Sequence, residues 1–406
     1  MISDVVIIGA GISGLYLGLE FLKMKQSVCI LEKSNRLGGR VFSKKFKNST
    51  YESGAGRFSN IHDKLMNLLN KYNLNDKIVP IQQADVKIFK NPNQYSNDIN
   101  YYFKIIFDSK KDFRLSELVN MTTYEYLCII LGINKANHFI KLYGYNGEIY
   151  NANALCGLNI LETDYKTKQY YILLGGLGQL IDKMYLDFID KGGKIYKNTI
   201  VSDIMNNELD FKINTSNLLD SIKNTHYCKK LVLAIPPKDV LKLQPKQKKV
   251  RDAISGIVPI NLLRVYYFYD ESYQEIQSLK KVISDLDINY IIPINDKIIM
   301  ISYTDTTKAK YWYNLYYNNK DKFIQQISDE FTQCTSIPLV PPNSISLEYW
   351  EDGVHVWDKS KDFIKNYRKT INPISNLYLA NEAYSKSQGW IESSLEVCDY
   401  ILKLLK

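Results

Sequence analysis

The chain has 406 residues, of which 45% are hydrophobic, and its formal net charge is +9 at neutral pH. A chain of this length can bury more than one core, because single cores stop growing at roughly 250 to 300 residues. Its lysines are interspersed with acidic residues and asparagine, which argues against a nucleic-acid-binding surface.

Two further classes of protein are disfavoured by the same sequence. No apolar run reaches the ~20 residues that a membrane-spanning helix needs, so we expect no membrane span. The six cysteines are scattered, without a CxxC pair or a His/Cys cluster at metal-ligand spacing. This usage predicts a reducing, cytoplasmic compartment and no metal site.

The first predicted elements form a nucleotide-binding unit. Residues 4–8 are a short apolar run, typical of a buried parallel strand, and the stretch GAGISG, residues 9–14, follows at once. LYLGLEFLKM then has helical spacing, and SVCILEK predicts a second strand ending near Glu32. An acidic residue at this place in a βαβ unit binds a ribose hydroxyl. Because these features come in order, they predict a dinucleotide site.

Each glycine of this stretch has its own predicted duty. Gly9 makes the tight turn, Gly11 lets the backbone approach the pyrophosphate, and Gly14 lets helix and strand pack closely. The free N–H groups at the start of the helix then bind the phosphates. The predicted contacts of the unit are Gly9, Gly11, Ile12, Ser13, Gly14 and Glu32.

A second glycine pair distinguishes FAD from NAD. In EKSNRLGGRV, a loop directly after the ribose acid can fold back over the pyrophosphate, offering N–H donors and the charged fork of Arg40. A simple dehydrogenase unit has no use for this loop. The pattern EKxxxxGGR resembles the flavin-containing amine oxidase family, and the resemblance implies FAD contacts at Lys33, Gly39 and Arg40.

The carboxy-terminal segment NLYLANEAYSKSQGWIESSLEVCDYILKLL is the second part of the resemblance. It predicts a strand and then an amphipathic helix whose N-terminus suits an electron-rich ligand edge. In the family, the glutamate contacts the ribityl-phosphate region and the GW turn lies along the isoalloxazine ring. Trp390 would also wall the substrate space; its alternative role is that of a core aromatic. The implied flavin contacts are Glu382, Gly389, Trp390, Ile391, Glu392, Ser393 and Ser394.

The resemblance also implies the architecture. We expect an α/β fold with an FAD-binding Rossmann-type (βαβ) domain of the glutathione-reductase/amine-oxidase kind. A second α+β domain with a mixed sheet would bind the substrate, as the tyrosine-rich strands between residues 262 and 303 also indicate. The predicted FAD domain comprises 1–80, 170–250 and 345–406, and the substrate domain 81–169 and 251–344. In TIVSDI, Val201 takes the family position that meets the adenine edge. Cys398 lies beyond the flavin contacts, so we expect non-covalent FAD.

The turn GAGR predicts the type of substrate. Amine oxidases acting on amino acids carry an arginine here, in a GAxR motif, and those acting on simple amines usually do not. By this resemblance Gly54, Ala55 and Gly56 lie at the flavin, and Arg57 holds a substrate carboxylate. A bidentate arginine fixes both orientation and register. The alternative is that Arg57 pairs with flavin phosphate or a structural acid.

One position departs from the family. In IVPINLLRVYYFYD, Arg264 falls where most members have a lysine that holds a water near flavin N5. Arginine can donate to a water but cannot give up its proton, which leaves rapid reoxidation by oxygen in question. No tyrosine partner for the substrate carboxylate stands out, and Tyr290 is only a candidate. His62, one turn into a predicted helix, fits a structural role better than a catalytic one.

The sequence therefore predicts an FAD-dependent oxidase of a primary amine, most readily an L-amino acid. Hydride transfer to flavin N5 would give an imine, then a keto acid or aldehyde plus ammonia, and oxygen would become hydrogen peroxide. We expect Arg264 and Trp390 to be catalytic, and Arg57, Gly389 and Trp390 to bind substrate. The alternatives are a polyamine oxidase or related desaturase, or a non-catalytic FAD-binding protein. Oligomeric state is left open.

Overall fold

The computed structural model describes residues 1–81, 84–89, 95–206, 210–244 and 247–405. No helix in these ranges is both long enough and apolar enough to cross a bilayer. The strands are β1 Ile2–Ile8, β2 Val28–Leu31, β3 Ser43–Phe46, β4 Ser49–Glu52, β5 Phe58–Ser59, β6 Ile78–Pro80, β7 Asp85–Lys87, β8 Tyr170–Leu173, β9 Lys194–Tyr196, β10 Thr199–Asn206, β11 Phe211–Asn217, β12 Lys223–Leu233, β13 Ile257–Phe268, β14 Val282–Ser284, β15 Tyr290–Asn295, β16 Ile298–Asp305, β17 Ser344–Trp357 and β18 Leu377–Leu379.

Helices lie between some of these strands, and the longest run of helices, α3 to α8, lies between β7 and β8. They are α1 Ile12–Lys23, α2 Asp63–Lys71, α3 Ile99–Ser109, α4 Leu115–Asn120, α5 Thr123–Leu131, α6 Ile133–Tyr143, α7 Gly147–Tyr150, α8 Ala154–Lys166, α9 Gly178–Asp190, α10 Pro237–Leu243, α11 Lys248–Ile254, α12 Gln274–Gln277, α13 Thr306–Asn318, α14 Lys320–Thr335, α15 Phe363–Ile371 and α16 Ile391–Leu404.

The larger sheet carries the predicted nucleotide-binding unit. Its strand order is β10-β11-β12-β1-β2-β9, with β18 also pairing with β12. The central strands β1 and β2 are parallel to both of their neighbours, whereas β12 is parallel to β1 and β18 and antiparallel to β11. All four positions of β2 are buried. Such strands are apolar because both faces of the sheet are covered, here by helices that include α1, α9 and α16. The predicted Rossmann-type domain is confirmed.

The second large sheet is mixed, as predicted. Its order is β17-β13-β16-β15-β14-β7, antiparallel except for the parallel pair of β14 and β7. The helices α13 and α14 pack their buried aromatic and aliphatic side chains against this sheet. The architecture is therefore the predicted combination of an FAD-binding α/β domain and a second α+β domain.

The buried cores suggest how the chain is divided. One core joins residues from the ranges 5–74, 173–254 and 367–401. A second core is formed by α3 to α8 with the adjoining ends of β13 and β17, and a third by the mixed sheet with α13 and α14. The predicted domain boundaries themselves stay a prediction.

Candidate active site

A cavity of about 1260 Å³ is lined by residues of both large sheets. We call its wall around Gly9, Gly11, Glu32 and Val201 the cofactor end. We call its wall around Arg57, Tyr145, Glu148, Asp164 and Lys281 the substrate end. Both ends belong to one continuous space, so a long ligand at the cofactor end can meet a small one at the substrate end.

The glycines of the first turn shape the cofactor end. A Cβ atom at Gly14 would lie 2.0 Å from the carbonyl oxygen of Gly9, so only glycine allows this helix and strand to pack. At Gly11 the nearest atom to such a Cβ is 3.9 Å away, and the space beside the backbone is open. Gly11 caps α1 without any side-chain hydrogen bond, which leaves N–H groups for phosphate oxygens.

Glu32 is fixed by the same turn. Its carboxylate accepts the backbone N–H of Ala10 at 2.8 Å and that of Ser34 at 2.9 Å. Val201 lies in β10 where the pairing with β11 is irregular, so its backbone is close to a break in the ladder. The glycine turn, the uncapped helix and the oriented acid together fit the adenosine and pyrophosphate parts of FAD.

A buried ion network links the two predicted flavin motifs. Arg40 donates from Nη1 to Oε1 of Glu382 at 2.5 Å and from Nη2 to the side-chain oxygen of Asn381 at 2.6 Å. His355 Nδ1 lies 2.7 Å from the same Glu382 oxygen. Although burial opposes ionisation, Arg40 and His355 lower the pKa of Glu382 to about 2. Part of the Arg40 guanidinium is therefore bound to Glu382, a partner that the sequence did not indicate.

The turn before α16 forms another wall. Gly389 has a left-handed backbone, with φ of 97°, and its N–H donates to Glu382 at 3.2 Å. The Trp390 ring stacks on Tyr170 with centroids 6.0 Å apart, and His62 packs edge-on against it at 4.8 Å. Burial and the nearby Arg57 lower the pKa of His62 to about 4. A neutral, packed His62 fits the structural role expected for it.

Most of the predicted site residues line this cavity. Gly14, Glu392 and Ser393 do not. Glu392 accepts the backbone N–H groups of Lys64 and Leu65 at the start of α2, at 2.9 and 3.0 Å. The lining residues are Gly9, Gly11, Ile12, Ser13, Glu32, Lys33, Gly39, Arg40, Gly54, Ala55, Gly56, Arg57, Val201, Arg264, Glu382, Gly389, Trp390, Ile391 and Ser394.

Arg57 lies at the substrate end with few polar partners. Its Cζ is 4.4 Å from the ring centroid of Tyr170 and 5.3 Å from that of Trp390. Its Nη2 is 3.4 Å from the hydroxyl oxygen of Tyr145. Among the residues that the structure describes, none offers Arg57 an ion pair at 4.0 Å or less. The guanidinium is therefore held by aromatic rings and remains available to a ligand.

Arg264 is turned toward the backbone of the GAGR turn. Its Nη1 donates to the carbonyl oxygen of Glu52 at 2.9 Å and also to that of Gly54. Tyr266 donates to the Glu52 carbonyl at 2.7 Å, and Trp350 donates to the Ser53 carbonyl at 2.8 Å. This arrangement gives Arg264 a structural task that a shorter, single-headed lysine would perform less well.

Several residues of the substrate end were missed from the sequence. They come from the segments 73–169 and 271–344, where no recognised motif points to a site. Tyr290 was the candidate partner of the substrate carboxylate, but its hydroxyl donates to the carbonyl oxygen of Tyr143 at 2.7 Å. The tyrosine beside Arg57 is Tyr145. The other missed lining residues are Tyr143, Glu148, Asp164, Lys281, Tyr303 and Asp305.

Fold and cavity fit the predicted binding of FAD. The family profile described as flavin containing amine oxidoreductase matches residues 12–123. A protein of unassigned function from Acanthamoeba polyphaga mimivirus is 21% identical over 476 aligned positions, covering 98% of this chain and 93% of that protein.

Solved structures show the same fold over the whole chain. An engineered putrescine oxidase superposes with a TM-score of 0.80 at 14% identity, covering 100% of this chain and 98% of that one. Cyclohexylamine oxidase from Brevibacterium oxydans gives a TM-score of 0.78 at 14% identity, with 99% of each chain covered. The predicted resemblance is confirmed: the chain is similar to the flavin-containing amine oxidases, in its sequence over residues 12–123 and in its fold throughout.

Proposed function

We propose that this enzyme oxidises the α-amine of an L-amino acid, and that Arg57 holds the substrate carboxylate. The observation that carries the proposal is a partly buried guanidinium that lines the cavity without an ion pair among the described residues. An unpaired buried charge is costly unless a ligand completes it. A carboxylate next to the reacting carbon is the simplest group that would do so.

The residues divide the work between the two ends. The glycines, Glu32 and the start of α1 would hold the adenosine and pyrophosphate of FAD. FAD, when bound, supplies the hydride acceptor and passes the electrons on to oxygen, which yields hydrogen peroxide. Arg57 would fix the substrate through a bidentate contact, with the Tyr145 hydroxyl beside it. The released imine would hydrolyse to a keto acid and ammonia.

These side chains position the substrate and contribute less through acid–base chemistry. The rings of Tyr170 and Trp390 keep the guanidinium in place and shield it from water, which strengthens its interaction with an anion. The backbone contacts of Arg264 keep the turn that carries Arg57 in register. Arg57 therefore reaches the ligand already oriented.

The test compares an amino acid with its decarboxylated amine. Arg57→Lys removes the fork and Arg57→Ala removes the charge, and both variants should keep FAD. Losing one partner of a desolvated charge pair costs roughly 2 to 5 kcal/mol, so kcat/KM for the amino acid should fall roughly 30-fold to several thousand-fold. The amine should lose little, because it has no carboxylate. Arg114→Ala, at an exposed side chain, is the matched control.

Peroxide release and anaerobic bleaching of the flavin would both report the reaction. Equal losses for amino acid and amine would assign Arg57 a general structural role and contradict the proposal. A wild-type enzyme that oxidises the decarboxylated amine as fast as the amino acid would also contradict the proposal.

A diamine or polyamine oxidase is the second candidate. Three carboxyl groups, those of Glu148, Asp164 and Asp305, also line the cavity, and they could face a second ammonium group. Putrescine oxidase is among the proteins that share the fold. Under this function, putrescine would bleach the flavin faster than any amino acid, and Arg57→Ala would leave that rate unchanged.

A further inference from the structure

Two cations line the substrate end, and in the part of the chain that the structure describes neither forms an ion pair. The hydrogen-bond partner of the Arg57 side chain there is the Tyr145 hydroxyl, at 3.4 Å. Lys281 lies over the ring of Tyr290, with Nζ 5.0 Å from the centroid. Within the described ranges no carboxylate oxygen comes within 4.0 Å of either head group. The proposed function assigns no role to Lys281.

The acids of the same wall are satisfied internally. Asp164 accepts the hydroxyl of Tyr143 at 2.9 Å and also that of Tyr170. Asp305 accepts the backbone N–H groups at positions 146 and 147, both at 2.8 Å. These carboxylates already have donors, so they do not need a cation from the ligand.

Glu148 is the remaining acid, and its burial favours the neutral form. Burial, together with the charges of Asp164 and Asp305, raises the pKa of Glu148 to about 8. The Tyr143 hydroxyl lies 2.6 Å from Glu148 and 2.9 Å from Asp164. One hydroxyl proton cannot serve both, which is consistent with a proton on Glu148. The substrate end therefore favours a ligand that carries negative charge.

The pKa of Lys281 also reflects the lack of a neighbouring anion among the residues described. Burial and the charge of Arg57 lower the pKa of Lys281 to about 7, although Asp164 opposes them. A ligand carboxylate beside the amine would favour its charged form and offset the penalty of burial. Arginine suits a bidentate contact near the reacting carbon, whereas lysine offers a point charge on a flexible stem for a more distant group.

We propose that the substrate is a dicarboxylic amino acid, with its α-carboxylate held by Arg57 and its side-chain carboxylate by Lys281. The inference rests on the proposed function, because it assumes that Arg57 binds an amino acid. Lys281 is then the residue that determines specificity for the side chain.

The experiment uses isosteric pairs of substrates. L-glutamate is compared with L-glutamine, and L-aspartate with L-asparagine, by anaerobic flavin bleaching in the holoenzyme. An added charge-assisted contact is worth roughly 1.5 to 3 kcal/mol, so the acid of one pair should exceed its amide about 10- to 150-fold in kcat/KM. Lys281→Met should remove this preference, because kcat/KM for the acid should fall far more than kcat/KM for the amide. Lys280→Met, at the exposed neighbouring residue, should change neither.

Each of the following results would overturn the inference. The first is equal rates for acid and amide in the wild type, and the second is an equal loss of both in Lys281→Met. The third is a faster reaction with L-lysine than with L-norleucine, which would assign side-chain recognition to Glu148 and Asp164. Neutral amino acids that react better than acidic ones refute this inference and spare the proposed function. If putrescine bleaches the flavin and no amino acid does, the proposed function and this inference both fail.

Discussion

The two ends of the cavity treat charge in opposite ways. At the cofactor end, Arg40 is paired with Glu382, and Glu32 accepts two backbone N–H groups. At the substrate end, Arg57 and Lys281 have no carboxylate within 4.0 Å among the described residues. The cations at both ends, Arg40, Arg57 and Lys281, are partly buried, so the difference does not follow from exposure.

The difference reflects what each end binds. A resident cofactor can be held by groups that are already fixed by one another, because its shape and charge are constant. A substrate that comes and goes must leave its binding charges unpaired in the free enzyme. Such charges lower stability, and proteins retain them where a ligand completes them. Substitutions at either end of the cavity test this difference, and those with the largest expected effects come first.

Gly11→Val should give protein purified without flavin colour. No atom lies within 3.9 Å of a Cβ at this position, so the fold tolerates valine, but the side chain fills the space that the pyrophosphate needs. The ratio of flavin to protein absorbance measures the loss, and circular dichroism checks that the apoprotein is folded. A yellow, fully loaded variant would show that the cofactor does not approach this turn.

Arg40→Ala should lower the free energy of unfolding by about 3 kcal/mol, because it removes the charged hydrogen bonds to Glu382 and Asn381 and leaves His355 as the remaining side-chain partner of Glu382. Urea unfolding of the apoprotein measures the change. Lys23→Ala removes a partner of the exposed pair with Glu20 and should cost less than about 1 kcal/mol. Similar losses for the two variants would mean that the Arg40 pair is no better fixed than a surface contact.

Acid should weaken the cofactor end through Glu382. Its pKa in the folded protein is about 2, below the ordinary value of 4.5, so its contribution is fully present above pH 4.5 and is lost as pH falls toward 2. The contribution is on the order of 3 kcal/mol. Glu382→Gln should flatten this part of the stability curve, measured by thermal unfolding against pH. An unchanged slope would exclude Glu382 as its source.

Arg264→Lys should have the smallest effect. Lysine cannot reproduce the contacts to the carbonyls of Glu52 and Gly54, so the turn that carries Arg57 loosens and KM for the amino acid rises about 10-fold or less. FAD content should not change. Stopped-flow reoxidation provides the contrasting readout. Faster reoxidation with an unchanged KM would place position 264 at the flavin, as the family's lysine suggests.

The sequence predicted the cofactor end well because that end is built from local motifs. The glycine turn, α1 and Glu32 lie within one short βαβ unit, and the Gly389–Trp390 turn comes directly before α16. Backbone conformation dictates glycine, and a helix start dictates where phosphate can bind, so these residues carry their function in their order. The mixed sheet was also predicted, from the tyrosine-rich strands between residues 262 and 303.

Side-chain partners across the chain could not be predicted in this way. Arg40 and Glu382 are separated by 342 positions, and no local pattern links them. Lys281 and Asp164 meet at the cavity only because β14 and α8 are brought to one wall. The sequence by itself determined the FAD-binding unit, the two-sheet architecture and Arg57 as a candidate clamp. Only the tertiary structure decided which charges are paired, because burial and neighbouring dipoles come from distant segments.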